Sequence, residues 1–297
     1  LVKAKDYQGE QYSEMKKYRQ MTVDFQSKPW SPMKNSHQLR LGAVLLLCSY
    51  FPAVAAGDNS SQPKAATAEL QPLRFTSLDW APYTGAALPE GGETTGLLRQ
   101  VFAEIGYQLQ VDFLPWNNAV SQVVSGVNGH LAYYPEYPLQ DPKLLLSGAI
   151  GYSELGLVES VEKPLLLTNF LALANYRFGV VQDYLNMTEL DRLIAANTLR
   201  PKINSTDKDN VLQVARGELD AAVIDKRVLL YLLKHDADIK AVAAGKVQFS
   251  QSLREHKSLH LVFVANNKNR KLIQQFNQQL QRHKNQFLPS AKPAKSP

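Results

Sequence analysis

An α/β protein made of two successive units is what this sequence predicts, on three observations. Short apolar runs alternate with segments whose apolar residues recur at helical spacing, in the order strand, helix, strand, helix, strand between 73 and 134. That order is the signature of a mostly parallel sheet with covering helices. The same alternation restarts near Tyr176. Polar and aromatic residues fall repeatedly just behind the apolar runs, and in open α/β sheets ligands sit outside the carboxyl ends of the strands. A length of 297 residues accommodates one large domain or two modest ones, and 44% hydrophobic with 20% charged residues places the chain among globular proteins.

Residues 1–71 precede this pattern. The 1–32 stretch is polar and patternless and is expected to be an upstream extension that does not fold or is not translated, an anchored N-terminus being the other reading. From Met33 the sequence "MKNSHQLRLGAVLLLCSYFPAVAAGD" has a positive n-region (Lys34, Arg40), an apolar h-region around Leu41 to Leu47, and small residues at Ala53, Val54, Ala55 and Ala56. This is the layout of a signal peptide over 33–56. Its apolar stretch, about 16 residues, is short of the roughly 20 that span a bilayer. Export to the periplasm is therefore expected, with 57–71 ("GDNSSQPKAATAELQ") as a polar linker. The single cysteine, Cys48, lies inside that signal. A mature chain without cysteine has neither disulfides nor a cysteine nucleophile nor a thiolate zinc site.

The elements read in order as follows. "LRFTSL" (73–78) alternates as a strand and runs into the turn-rich "DWAPYTG" with Asp79, Trp80 and Tyr83. Thr94 or Thr95 is the expected cap of a helix with Leu97, Leu98, Val101, Phe102 and Ile105 on one face and Gly106 as its stop. "LQVDFL" is a second strand, Trp116 and Asn117 open a second helix, and "HLAYY" is a third strand ending in "PEYP". In the second unit, "YRFGVVQDY" is strand-like, and Thr188 is the expected cap of a helix with Leu190, Leu193 and Ile194. "LRPKINST" is a strand and loop, and "DKDNVLQVARG" a helix with acids in its first turn, where the macrodipole favours them. "LDAAVID" and "KRVLLYLLKHD" supply a further strand and helix. One strand, "LHLVFVAN", and a last helix with Leu272, Ile273, Phe276 and Leu280 on one side are left over.

Candidate site residues are those just behind the apolar runs: Asp79 and Trp80, Tyr83, Trp116, Tyr133 and Tyr134, Glu136, Gln182 and Asp183, and Asp225. Asp225 stands out because four small or apolar residues, Ala221 to Ile224, run directly into it. It reads either as the N-cap of the following helix or as part of a cleft.

Several of these stretches resemble the periplasmic solute-binding proteins of the polar amino-acid type, family 3, the receptors associated with ABC importers. Those carrying the likeness are "LRFTSLDWAPYTG", "GLLRQVFAEIGYQLQVDFLPWNNAV", "GYSELGLVES", "FGVVQDY", "VLQVARGELDAAVIDKRVLLYLL" and "LHLVFVANNKNRKLIQQFNQQL". The resemblance covers roughly 72 to 285. It implies a bilobal type II fold, two α/β lobes joined by two crossover strands. Lobe 1 would comprise 72–160 plus 257–288, lobe 2 would comprise 161–256, and 289–297 would be a disordered tail. The left-over strand and helix would then complete the first lobe's sheet. The resemblance also implies that Asp225 receives the ammonium group of a bound solute, with Trp80 and Tyr83 covering its apolar part.

Two departures from the family pattern make the expected site acidic. "YYPEYPLQDPKLLLSG" contains no arginine to clamp a ligand carboxylate, and Asp183 stands where a glycine often begins the second lobe's first helix. With Glu136 added, a cationic or polyhydroxylated small solute is expected, with an ABC permease as the expected partner and a monomer as the expected state.

The charge and motif inventory bounds the alternatives. A net charge of +6 arises largely from a tail without any acid after Glu255. No basic patch is interleaved with aromatics, so no nucleic-acid partner is expected. The six histidines lack ligand spacing, and neither a G-x-S-x-G nor an H-E-x-x-H motif occurs. No metal, cofactor or enzymatic activity is expected. A dehydratase-like enzyme using Glu136, Glu154 or Asp225, and a sensory or orphan binding module, are the alternatives.

Overall fold

A computed structural model describes residues 69–287. The expectations for 1–32, for the 33–56 signal, for nearly all of the 57–71 linker and for the 289–297 tail lie outside the described residues. Among the described residues no helix is long and apolar enough to cross a membrane.

The first sheet is built around β1 (Gln71–Ser77), which pairs in parallel with both β2 (Tyr107–Phe113) and β3 (Ala132–Glu136). Helix α1 (Glu93–Glu104) connects β1 to β2, and α2 (Trp116–Val124) connects β2 to β3. A short β4 (Leu144–Leu146) follows, then the ten-residue β5 (Gly151–Ser160). The second unit runs β6 (Phe178–Val181), α3 (Thr188–Ala195), β7 (Lys202–Asn204), α4 (Asp207–Ala215), β8 (Ala221–Asp225), α5 (Lys226–His235), α6 (Ala237–Ala243) and β9 (Val247–Phe249). The ten-residue β10 (Glu255–Val264) and the long α7 (Asn267–Phe287) close the chain.

Pairing makes the two units copies of one topology. One half of the sheet has the order β2-β1-β3-β10-β4 and the other β7-β6-β8-β5-β9. In each, the first three strands are parallel and the last two pairings are antiparallel. The sheet is thus mixed rather than mostly parallel, because each lobe is completed by a strand that returns from the other. Those returning strands are β5 and β10. Their first halves pair with each other, Gly151 opposite Leu259 through Leu155 opposite Glu255. Their second halves then separate, β5 to join β8 and β9 and β10 to join β3 and β4. The molecule is a bilobal α/β protein with two crossover strands.

The left-over strand and helix are held in the first lobe by aromatic packing. Phe75 of β1 meets Phe102 of α1 edge-on at 5.2 Å and Phe263 of β10 edge-on at 5.6 Å, while Phe276 of α7 stacks on Phe102 at 4.8 Å. Such pairs contribute about 0.5–1.5 kcal/mol each beyond their buried area. Leu272, Ile273, Phe276 and Leu280 are all buried, as their spacing predicts.

Several local expectations are corrected. Thr94 and Thr95 are buried inside α1, whose N-cap is Gly92. Thr188 is the first residue of α3 rather than its cap, and both its N–H and its hydroxyl donate to the Glu255 carboxylate at 2.7 Å. The three-residue strands β4 and β9 are too short to show an alternation. Helix α6 is a separate element because Asp236, at the end of α5, accepts from the N–H groups of Asp238 and Ile239 and starts a new helix.

Gly92 fixes the loop between β1 and α1. Its φ of 99° and ψ of 166° lie in a region essentially reserved for glycine. A Cβ there would stand 2.5 Å from the carbonyl oxygen of Tyr83. Gly92→Ala should therefore lower stability by at least about 1–3 kcal/mol, read as a lower urea midpoint with an unchanged slope.

Candidate binding cleft between the lobes

Asp225 ends β8 and begins α5, and both readings of it hold at once. One carboxylate oxygen, Oδ1, caps α5 by accepting from the N–H groups of Arg227 (2.7 Å) and Val228 (3.0 Å). The other, Oδ2, accepts from the Ser153 hydroxyl on β5 (2.5 Å) and from the Tyr83 hydroxyl on the β1–α1 loop of the first lobe (3.1 Å). Asp225 is 1% exposed. Burial pushes its pKa above the ordinary carboxylate range, and its hydrogen bonds from Ser153, Val228, Tyr83 and Arg227 pull the other way.

Around Oδ2 the two lobes are interlocked. The Tyr83 hydroxyl also lies 3.2 Å from the carbonyl oxygen of Tyr152, and its ring stacks on Trp80 at 4.5 Å. The Arg227 guanidinium sits 4.9 Å from the Tyr83 ring centre and reaches the Glu93 carboxylate of α1 at 2.6 and 2.7 Å. On the other side, the Tyr137 hydroxyl is 2.9 Å from the Ser153 Oγ, with Lys257 Nζ 5.1 Å from the Tyr137 ring. Burial, followed by the neighbouring Asp225, raises the pKa of both Tyr83 and Tyr137. Both remain neutral hydroxyls.

Asp207, the first residue of α4, is a second acid in this neighbourhood. The residue is half-buried, yet its carboxyl is crowded enough that burial, with Asp225 adding repulsion, raises its pKa to about 7. A hydrogen bond with Trp80 of the opposite lobe works against that rise.

Next to these groups lies a cavity of about 40 Å³ bordered by Trp80, Trp116, Glu136, Tyr137, Tyr184 and Leu185. A cavity of this size holds a water or two. A larger open groove of about 530 Å³ runs between β4 and α7, lined by Leu145, Leu146, Arg270, Ile273 and the amide side chains of α7. It shares no residue with the cleft and borders no acid.

The sequence-predicted site residues divide into two sets. Trp80, Trp116 and the buried Glu136 border one cavity, Tyr83 connects Trp80 to Asp225, and Tyr133 touches this group through Trp116, which it meets edge-on at 5.6 Å. Tyr134 lies instead in the first lobe's core, donating to the Thr95 hydroxyl (3.1 Å) and packing on Phe75. Neighbouring residues on a strand point to opposite faces, so Tyr133 and Tyr134 do not share one. Asp79 is exposed and closes its own loop by accepting from the Ala86 N–H at 2.7 Å. Gln182 is exposed and engaged through its backbone with Asn204, and Asp183 is a partly exposed residue at φ 63°. Ser153, Tyr137 and Asp207 were not among the candidates, since a strand serine, a turn tyrosine and a first-turn acid carry no distinguishing pattern.

Glu154 is bound by Lys226 (3.0 Å) and Arg254 (3.3 Å). Burial raises its pKa, but the hydrogen bond and charge of Lys226, with His256 and Arg254, hold it below the ordinary range. It is a poor proton donor. Among the described residues no cluster of His, Cys, Asp and Glu suited to a metal ion occurs.

No protein-family model and no curated protein matches this sequence. Solved structures do match it in fold. A histidine kinase sensor domain with similarity to periplasmic binding proteins superposes with a TM-score of 0.61 at 12% identity, over 73% of this chain and 92% of that one. The ligand-binding core of GluR0 from Nostoc punctiforme, in complex with L-glutamate, gives 0.57 at 17% identity over 72% and 93%. An amino acid ABC transporter substrate-binding protein from Streptococcus pneumoniae, bound to L-arginine, gives 0.56 at 14% identity over 72% and 89%. The architecture is that of the periplasmic-binding-protein-like bilobal proteins.

The raised pKa of Asp207 has a direct consequence for stability. Unfolded, the group titrates near 3.9; folded, near 7. Between these values the native state holds a proton that the unfolded chain has lost, so this group's contribution to stability is fully present below about pH 4 and is lost as pH rises through 7. Asp207→Asn should remove this slope. Its melting temperature should gain on wild type progressively from pH 4 to pH 8.

Proposed function

We propose that this protein is an exported solute-binding protein of the polar amino-acid type, family 3, which captures a small polar solute carrying a cationic group between its lobes. Lobe 1 would comprise 72–160 with 257–288 and lobe 2 would comprise 161–256. The observation that carries this reading is the Asp225 carboxylate, buried where the lobes meet, with Oδ2 accepting, among the described residues, from the uncharged hydroxyls of Ser153 and Tyr83. A cation placed there would form a charge-assisted hydrogen bond, about twice as strong as a neutral one. Trp80, Tyr83, Trp116 and Tyr133 would wall the apolar part of the solute, and Glu136 and Asp207 make the surroundings acidic. Arg227, the guanidinium near Asp225 among the described residues, is paired with Glu93. Binding proteins crystallised with amino acids share this fold, which supports the reading. An ABC permease would be the partner, the protein acting as a periplasmic monomer without enzymatic activity.

The sensor-domain neighbour supports a second reading, in which the same cleft reports its solute to a membrane kinase rather than to a permease. Capture of the solute is common to both.

Asp225→Asn separates the cap from the charge, because asparagine caps a helix as well as aspartate does. The variant should fold normally and lose at least tenfold in affinity for a basic amino acid or a diamine, measured by calorimetry after a thermal-shift screen of amino acids, polyamines and sugars. Binding of simple acidic ligands alone would overturn the proposal.

A further inference from the structure

Oδ2 of Asp225 is the atom on which the proposed function depends, and it already has occupants. Oδ1 is taken by the two amides of α5, so a cation has to approach Oδ2, where Ser153 donates at 2.5 Å and Tyr83 at 3.1 Å. The Tyr83 contact is the weaker of the two. A phenol has one proton to donate, and that proton faces both Asp225 Oδ2 and the Tyr152 carbonyl oxygen, at 3.1 and 3.2 Å. Both residues are buried, but Ser153 belongs to a crossover strand whereas Tyr83 sits on the loop between β1 and α1. The adjoining cavity, about 40 Å³, is too small for a solute until a side chain leaves. Trp80, which borders that cavity, stacks on the Tyr83 ring, so movement of this ring opens space beside it.

We infer that the Tyr83 hydroxyl is a built-in competitor for the cation position on Asp225, so that solute capture proceeds by displacing it and Tyr83 sets the affinity of the cleft. The inference rests on the reading of Asp225 as a cation receptor. It assigns Tyr83 a role distinct from that of a passive wall. The hydroxyl bridges the lobes in the place of a ligand, and the Arg227–Glu93 ion pair beside the Tyr83 ring clasps the same two elements.

The test is calorimetry on full-length wild type, Tyr83→Phe and Asp225→Asn, with L-arginine and 1,4-diaminobutane as ammonium probes. Tyr83→Phe keeps the ring and its stack on Trp80 but removes the competing donor. Its affinity should rise about three- to tenfold, the scale of one net neutral hydrogen bond. Affinity that is unchanged or weaker in Tyr83→Phe, while Asp225→Asn abolishes binding, overturns the competition and leaves the cation site standing. Absence of binding by all three proteins overturns both. A measurement on wild type alone gives the same decision: with 13C at the tyrosine Cζ positions, saturating probe should shift the Tyr83 resonance as its hydroxyl loses the bond to Asp225. A resonance that stays in place while the probe binds overturns the inference.

Discussion

Burying the Asp225 carboxylate is the constraint around which the cleft is arranged. A carboxylate removed from water is costly unless its lone pairs are satisfied, and Asp225 is satisfied by donors from three separate segments: the first turn of α5, the crossover strand β5 and the β1–α1 loop of the opposite lobe. None of these donors carries a charge. The arrangement therefore lowers the cost of burial without neutralising the group, and its pKa stays above the ordinary range. An acid held this way remains receptive to a cation. Had Arg227 bonded it directly, the charge would have been consumed. Instead Arg227 turns to Glu93 and connects the lobes.

Topology explains why the donors meet at that point. Each lobe places the carboxyl ends of its three parallel strands toward the crossover pair, so the loops that follow β1, β3 and β8 converge on β5 and β10. Tyr83, Tyr137 and Asp225 lie on or next to these strand ends, and Ser153 lies within the paired half of β5. Ser153 and Asp225 lie on the neighbouring strands β5 and β8. Of the hydrogen bonds that Asp225 accepts, the one from Tyr83 comes from the opposite lobe.

How much of this was legible in the sequence depended on the length of the pattern involved. Strand β5 coincides with the stretch "GYSELGLVES", and the apolar face of α7 was readable because helical spacing persists over several turns. Asp225 was visible because an acid at the end of "AAVI" has no place in a buried strand unless something receives it. Its two roles could not be separated there, since capping and ligand reception use different oxygens of one side chain. Ser153 was hidden: a serine at an inward strand position looks like any other, and only the pairing of β5 with β8 brings it to Asp225. Asp207 was hidden for another reason. An acid in a first turn is ordinarily explained by the helix dipole, and its confinement by Trp80 comes from the opposite lobe.

The same two acids connect stability to binding. Burial raises the proton affinity of both Asp207 and Asp225, and the charge of Asp225 raises that of Asp207 further. At neutral pH the second lobe thus carries an electrostatic cost that has no structural necessity, since Asn at either position would serve as a helix start. Sites that depart from the stability optimum in this way are characteristic of binding surfaces, where the ligand supplies the missing interaction. A cation between the lobes would relieve the repulsion, ionise Asp207 fully and release its proton. Charge repulsion within one lobe and closure against the other are then two aspects of the same unfilled electrostatic demand, and Tyr83, a neutral donor from across the cleft, meets that demand only in part.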